Sequence, residues 1–363
     1  MLKLKTPKFF GIIGAWVHQH HTATYAIAAV IVLLTTAGVS AVLFYKKPVE
    51  ISQQPTTAVK KTPPAPVKYY SPLTGVQVAD EAAAKQAATA IMIENSPDAR
   101  PQSGIKAAGV VFEAIAEGGI TRFLALYQQE KPGLVGPVRS VRLYYVDWLA
   151  PFQASVAHVG GSKFALDEVR NGQYRDIDQF FNAGTYWRAK DRYAPHNVYT
   201  NFANLDALNK AKGYNESAVA GFDRKDPAPA SPPTATQLNI SISGPLYNSS
   251  YTYDAASNTY LRSQAGKPHT DRESGQIAPT VVVAMFVNMS RVMEDGYREQ
   301  ITTTGSGRAV IFQDGTALET TWHKASRTGQ INFTDAAGKP VKLNRGQTWI
   351  SAVPNGTGNA TWK

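Results

Sequence analysis

FEAIAEGGITRFLALYQQEKPGLVGPVRSVR, residues 112–142, sets acids and guanidiniums into a segment otherwise apolar enough to be core. Val110 to Glu117 and Ile120 to Tyr127 alternate as half-buried strands do, and Gly118-Gly119 between them is a two-residue turn signal. The pattern predicts a β-hairpin. With the two glycines as turn residues, Glu117 faces Ile120, Ile115 faces Arg122 and Glu113 faces Leu124. Glu113, Glu117 and Arg122 are then expected on one sheet face among Ile115, Ile120 and Leu124. Charges so placed need mutual hydrogen bonds or a ligand, because an unpaired buried charge costs several kcal/mol. Three readings follow: a structural ion-pair network, a ligand-facing cluster, or a pair of general acid/base carboxylates.

Downstream, Ser140 reads as the N-cap of a helix through Leu149, with Val141, Tyr144, Tyr145, Trp148 and Leu149 as its apolar side. Arg139 and Arg142 stand at its start, where backbone N–H groups already favour anions. They are expected either to bind an acid group or to pair with Glu113 and Glu117. Ala154 to Val159 reads as a buried strand with His158 near its end, followed by Gly160-Gly161-Ser162 and a helix from Lys163. Strand, Gly-Gly-Ser, helix is the general form of an anion cradle, though it lacks the phosphate-loop pattern. Asp176 and Asp178 suit a turn cap or a divalent ion. Tyr186 to Tyr199, YWRAKDRYAPHNVY, brings Arg188, Arg192, His196 and Asn197 among aromatic rings, the composition of a sugar or anion pocket wall. Asn201 reads as the cap of a helix to about Lys212.

Residues 223–236 carry four prolines and read as a linker between two domains, 69–222 and 237–356, with 357–363 as a tail. The first domain is expected to be mixed α/β, layered sheets with helices. The second, from strands at Leu238–Ile242, Tyr247–Tyr253, Thr259–Arg262, Thr280–Val287, Ala309–Phe312, Ile331–Phe333 and Thr348–Val353, is expected to be mostly β. Trp322, His323 and Lys324, and His269 with Asp271, are its concentrated polar points.

The chain has 363 residues, 43% of them hydrophobic, and no cysteine, which excludes disulfides, thiol nucleophiles and thiolate metal sites. Residues 25–45, YAIAAVIVLLTTAGVSAVLFY, form an uncharged run that would reach about 31 Å as a helix, the thickness of a bilayer's hydrocarbon core. They are expected to be an uncleaved transmembrane signal anchor, with 1–24 cytoplasmic and 46–68 a proline-rich spacer of roughly 70 Å. Residues 1–68 hold eight lysines against Glu50, a net +7 of the +10 total, so the rest carries only +3. No nucleic-acid partner is expected from so mild and scattered a charge.

Asn95 with Ala99-Arg100-Pro101-Gln102-Ser103-Gly104, Glu117 to Phe123, Gly136 to Arg142, His158 to Ser162 and Ala194 to Asn197 together resemble the YerB-like bacterial family. Tyr260-Leu261-Arg262, His269-Thr270-Asp271, Gly305-Ser306-Gly307, Thr321 to Lys324 and Gly346 to Ile350 extend the resemblance over residues 69–354. It implies an extracytoplasmic, membrane-attached protein with the two-domain architecture above, and it implies no established activity. Members often carry a lipid on an N-terminal cysteine; with no cysteine here, the helix at 25–45 is expected to do that work.

The residues themselves suggest a binding module for an anionic or sugar-containing envelope component. Arg122, Arg139, Arg142, Arg192 and His196 would hold the acid group, Glu113 and Glu117 would orient arginines, and Gly160, Gly161 and Ser162 would supply backbone donors, beside His158 and Asn197. No cofactor or metal is expected. The rivals are a hydrolase of envelope polymers, using Glu113 or Glu117 with His158 or His196, and a structural partner of another envelope protein. All site readings share one geometric expectation: that these groups converge on one concave wall.

Overall fold

Val110–Glu117 and Ile120–Tyr127 pair antiparallel across Gly118 and Gly119, whose φ of 58° and 78° lie in the left-handed region that glycine takes without strain. Glu117 faces Ile120 as expected, but Ile115 faces Thr121, leaving Ala116 as the extra residue of a β-bulge. Beyond it Ala114 faces Arg122 and Glu113 faces Phe123, one residue off the expected register. Because side chains alternate faces, that single insertion puts Arg122 on the opposite side of the sheet from Glu113.

The computed structural model describes residues 16–44, 67–292 and 298–363, with side chains for 16–36, 67–290 and 298–363. The chain divides into two units, residues 1–65 and 66–363. In the first, His21–Phe44 forms helix α1. Among the described residues no helix is long and apolar enough to cross a membrane, and the span expected at 25–45 ends outside them. The expected cytoplasmic end before residue 16, and the spacer over residues 46–66, also lie outside the described residues.

The second unit is mixed α+β, rich in strands and mostly β toward its C-terminus. Its strands begin with β1 (Thr89–Glu94), β2 (Val110–Glu117), β3 (Ile120–Tyr127), β4 (Ser155–His158), β5 (Arg175–Asp178), β6 (Trp187–Arg188) and β7 (Val198–Tyr199). There follow β8 (Gln237–Ser241), β9 (Ser249–Asp254), β10 (Thr259–Gln264), β11 (Val281–Val287), β12 (Arg298–Ile301), β13 (Gly305–Gln313), β14 (Thr316–Lys324), β15 (Asn332–Thr334), β16 (Thr348–Pro354) and β17 (Asn359–Trp362). The helices that matter for the site are α2 (Leu143–Leu149), α3 (Lys163–Val169) and α4 (Phe202–Ala211).

One large sheet runs in the order β15-β14-β13-β11-β16-β2-β3-β1-β4-β5, with β12 pairing at the end of β2. Chain from both sides of the proline-rich segment 223–236 therefore shares one sheet, through the parallel pairing of β16 with β2. Strands β11 and β16 are buried on both faces, which is why β11 reads as a continuous apolar run and β16 is broken only by Thr348 and Ser351. On one face lie α2 and α3, with Trp148 stacked on Phe112 at 5.4 Å. The opposite face is covered by α4, with Phe202 and Leu205, and by a second sheet containing β10-β9-β8-β17. The C-terminal residues expected as a tail supply β17, whose Trp362 packs edge-on against Phe312.

Helix ends follow local chemistry. Asn201 caps α4 as expected, its side chain accepting from the Asn204 N–H at 2.8 Å. Ser140 does not cap α2: that position falls to Arg142, which makes no side-chain cap bond. Tyr144 and Tyr145 tie α2 to the bulge, donating to the carbonyls of Ile115 and Arg122, each at 2.6 Å.

Candidate functional site

Glu117 leaves the bulge between two buried guanidiniums. Its Oε1 accepts from Arg122 at 3.1 Å, and its Oε2 accepts from Arg142 Nε at 3.0 Å and from Arg142 Nη2. Burial pushes this carboxyl up, but the two arginines more than offset it and hold it at about 2, below the usual 4.5. Arg122 and Arg142 also donate to the carbonyls of Ser140 and Val141. Arg142 is the outer member of this triad and lines a cleft of about 380 Å³, bounded by α2, α3, the segment from Arg298 to Thr304, and Arg327. Ser162, Phe164 and the hydroxyls of Thr302, Thr303 and Thr304 form its other walls.

Arg327 reaches the cleft from a turn that the sequence did not mark as functional. There it donates to Asp147 at 2.7 Å and to Glu168 at 3.2 Å, while Thr303 donates to the other Asp147 oxygen at 2.6 Å. The turn is shaped by Lys324, whose buried ammonium donates to the carbonyls of Ser326, Arg327 and Gly329. Burial pushes that ammonium down to about 8.

Glu113 lies on the other face, fully buried. Its Oε2 accepts from Arg262 at 2.9 Å and from the Trp349 indole N–H at 3.0 Å, and its Oε1 from Thr121 at 3.2 Å. Arg262 lies 4.4 Å from the Trp349 ring centroid and donates to Tyr251 Oη and to His269 Nδ1. Since His269 Nδ1 accepts, its proton sits on Nε2 and is donated to Gln102 Oε1 at 2.9 Å. Burial and the Arg262 charge push this imidazole well below its usual 6.5. Gln102 and Arg100 then bind Asn95 Oδ1, and Asn95 closes the circuit on Thr121.

Residues 73–215 match the model of the N-terminal domain of a protein of unknown function (DUF3048), and residues 238–350 match that of its C-terminal domain. A Bacillus subtilis (strain 168) protein described as "Putative lipoprotein YerB" is 32% identical over 292 residues, which is 79% of this chain and 87% of that one. The chain belongs to the YerB-like family. The crystal structure of YerB protein from Bacillus subtilis shares the fold at a TM-score of 0.73 and 30% identity, covering 81% of this chain and 100% of that chain. The two matched segments of this YerB-like chain are joined by the buried circuit: Asn95, Gln102, Glu113 and Thr121 come from the first, Tyr251, Arg262, His269 and Trp349 from the second.

The remaining predicted residues separate into local groups. His158 is fully buried, with Nδ1 at 2.8 Å from Gly160 O and Nε2 at 2.9 Å from Asp176. Asp178 accepts from the Gly160 and Phe180 N–H groups and from Arg170, so the Asp-x-Asp pair serves as turn caps. Gly160-Gly161-Ser162 makes no anion cradle: the Gly160 N–H points at Asp178, the Ser162 N–H at Val141 O, and Val141 packs where a Gly161 side chain would stand. Arg139 and His196 meet at Glu94 instead, at 3.3 and 2.9 Å, and Ser96 joins them. Arg192 ties the carbonyls of Asp98 and Pro101, and Asn197 those of Ala189 and Arg192.

The expected single wall is thus corrected to four clusters, centred on Glu117, Glu113, Glu94 and His158. The bulge separates the first two, and strand pairing keeps the others apart. Of the predicted residues, Arg142 and Ser162 line the cleft, with Arg122 and Glu117 behind them. Phe164, Asp147, Thr303 and Arg327 were missed; an aromatic just inside a helix start after Gly-Gly-Ser was the available signal.

Proposed function

We propose that this protein is a membrane-held, extracytoplasmic binding protein whose head takes a sugar-containing component of the cell envelope in the Arg142–Phe164 cleft. The membrane part rests on the uncharged run at 25–45, read as a single-pass anchor, and on the description of its Bacillus subtilis relative as a lipoprotein. The ligand part rests on one observation above the others: Phe164, 49% exposed, stands at a cleft whose other walls include the hydroxyls of Ser162 and Thr302 to Thr304 and two arginines, Arg142 and Arg327, already held by carboxylates. A pre-formed pocket of that size with an aromatic wall and a few convergent polar groups suits a small ligand. The lining arginines, Arg142, Arg298 and Arg327, face Asp147 and Glu299, a net of +1, which favours a neutral or singly charged glycan over a polyanion.

Full-length protein in detergent, titrated with cell-wall glycan fragments and with polyphosphate while following the thermal midpoint, tests this. Glycan fragments should raise the midpoint and polyphosphate should not. Phe164→Ala should weaken glycan binding by about tenfold, 1.4 kcal/mol, with unfolding free energy changed by less than about 0.5 kcal/mol because the ring is largely solvent-facing. No midpoint shift with any fragment at about millimolar concentration, a Kd limit near 4 kcal/mol, would remove the reading.

A further inference from the structure

We propose a second ligand site, independent of that cleft, for a saccharide bearing one carboxylate, in the pocket beneath the β6–β7 ribbon. The pocket has a volume of about 440 Å³. Strands β6 and β7 pair antiparallel with Trp187 directly opposite Tyr199, so the two rings project from the same side of the ribbon. Trp187 is 37% exposed and offers a flat apolar wall, while Tyr199 is 1% exposed and its hydroxyl, in reach of the Arg272 guanidinium, makes no well-formed hydrogen bond. A buried hydroxyl without a well-formed hydrogen bond is costly, which argues for a ligand atom that completes it.

Charge placement selects the ligand class. Arg272 engages both acids of the pocket, Asp191 at 2.8 Å and Glu273 at 3.9 Å, and Ser103 donates to Glu273 as well. Arg188 donates to an uncharged group, Asn197 Oδ1, at 2.7 Å, and Lys190 makes no hydrogen bond or ion pair among the described residues. Two cations without a counter-charge therefore stand beside the aromatic wall. A single carboxylate matches the pocket's net of +1, from Arg188, Lys190 and Arg272 against Asp191 and Glu273. Asn197, by holding the carbonyls of Ala189 and Arg192, keeps the loop that carries Lys190 in place before any ligand arrives. The pyranose ring packs on Trp187, the acid group meets Lys190 and Arg188, and the Tyr199 hydroxyl serves the ring's polar edge.

The test is calorimetric titration of the full-length protein in detergent with N-acetylmuramic acid, and with N-acetylglucosamine as its uncharged counterpart. The acid should bind about tenfold more tightly, Lys190→Gln should erase that preference, and Tyr199→Phe should weaken both sugars by about fivefold without lowering the thermal midpoint. Phe164→Ala should change neither affinity. Equal affinities for the two sugars, or no heat from either at about 10 mM, would overturn the proposal. Loss of binding in Phe164→Ala would also overturn it, and would leave the first cleft standing. Should Tyr199→Phe fail to fold, the exposed Lys190→Gln still decides the question.

Discussion

Arg262→Ala is expected to cost about 3 to 5 kcal/mol, because it strands a carboxylate inside the fold. Glu113 is sealed from water, and its remaining donors would be one indole N–H and one hydroxyl. The same change removes the donors to His269 Nδ1 and Tyr251 Oη, and empties the space above the Trp349 ring. Urea unfolding should show the midpoint falling without a change of slope. The companion variant, Glu113→Gln with Arg262→Met, should recover about half the loss, since an apolar or neutral substitute of similar volume avoids the buried charge. A single-variant cost under about 1 kcal/mol, or a double variant no better than the single, would show that the pair is not the lock between the two segments.

Glu117→Gln should be nearly as damaging, and here acid provides a second measurement. The carboxyl is held at about 2 in the fold against a usual 4.5, so its contribution is fully present above about pH 4.5 and is lost as pH falls toward 2. The size of that shift corresponds to about 3 kcal/mol. Wild-type stability should therefore drop across that window, and Glu117→Gln should show a correspondingly flatter acid limb from a lower starting value. An unchanged acid limb in the variant would mean that other carboxylates carry the acid sensitivity. Asp176, whose carboxyl is raised by burial but lowered further by His158, lies in the same direction and sets the background.

Much of the architecture was legible in the amino-acid order. The hairpin at Val110–Tyr127, the strand expected at Ala154–Val159, the Asn201 cap and the seven expected C-terminal strands all occur, because alternation, glycine turns and caps are local signals. The site was less so. An extra Ala116 in a run of small and apolar residues looks like ordinary alternation, yet it sends Glu113 and Glu117 to opposite faces. Arg262 and Trp349, the partners of Glu113, lie 149 and 236 positions away, beyond the reach of spacing. Proline density at 223–236 reads as a linker between two domains, and does not reveal that strands beyond it return to the first half's sheet.

Strand β16 occupies the middle of the large sheet, parallel to β11 on one side and β2 on the other, although Thr348, where it begins, lies far along the chain from Glu117, where β2 ends. A ribosome therefore delivers this keystone after both of the strands it joins. Until residue 354 emerges, the hairpin β2–β3 and strand β11 each present an unpaired rim, the kind of surface on which nascent chains stick to one another. The sheet must wait for β16 before it closes, and closing so distant a joint makes it slow. A stop codon anywhere before Thr348 removes the wedge between the two halves rather than trimming an end.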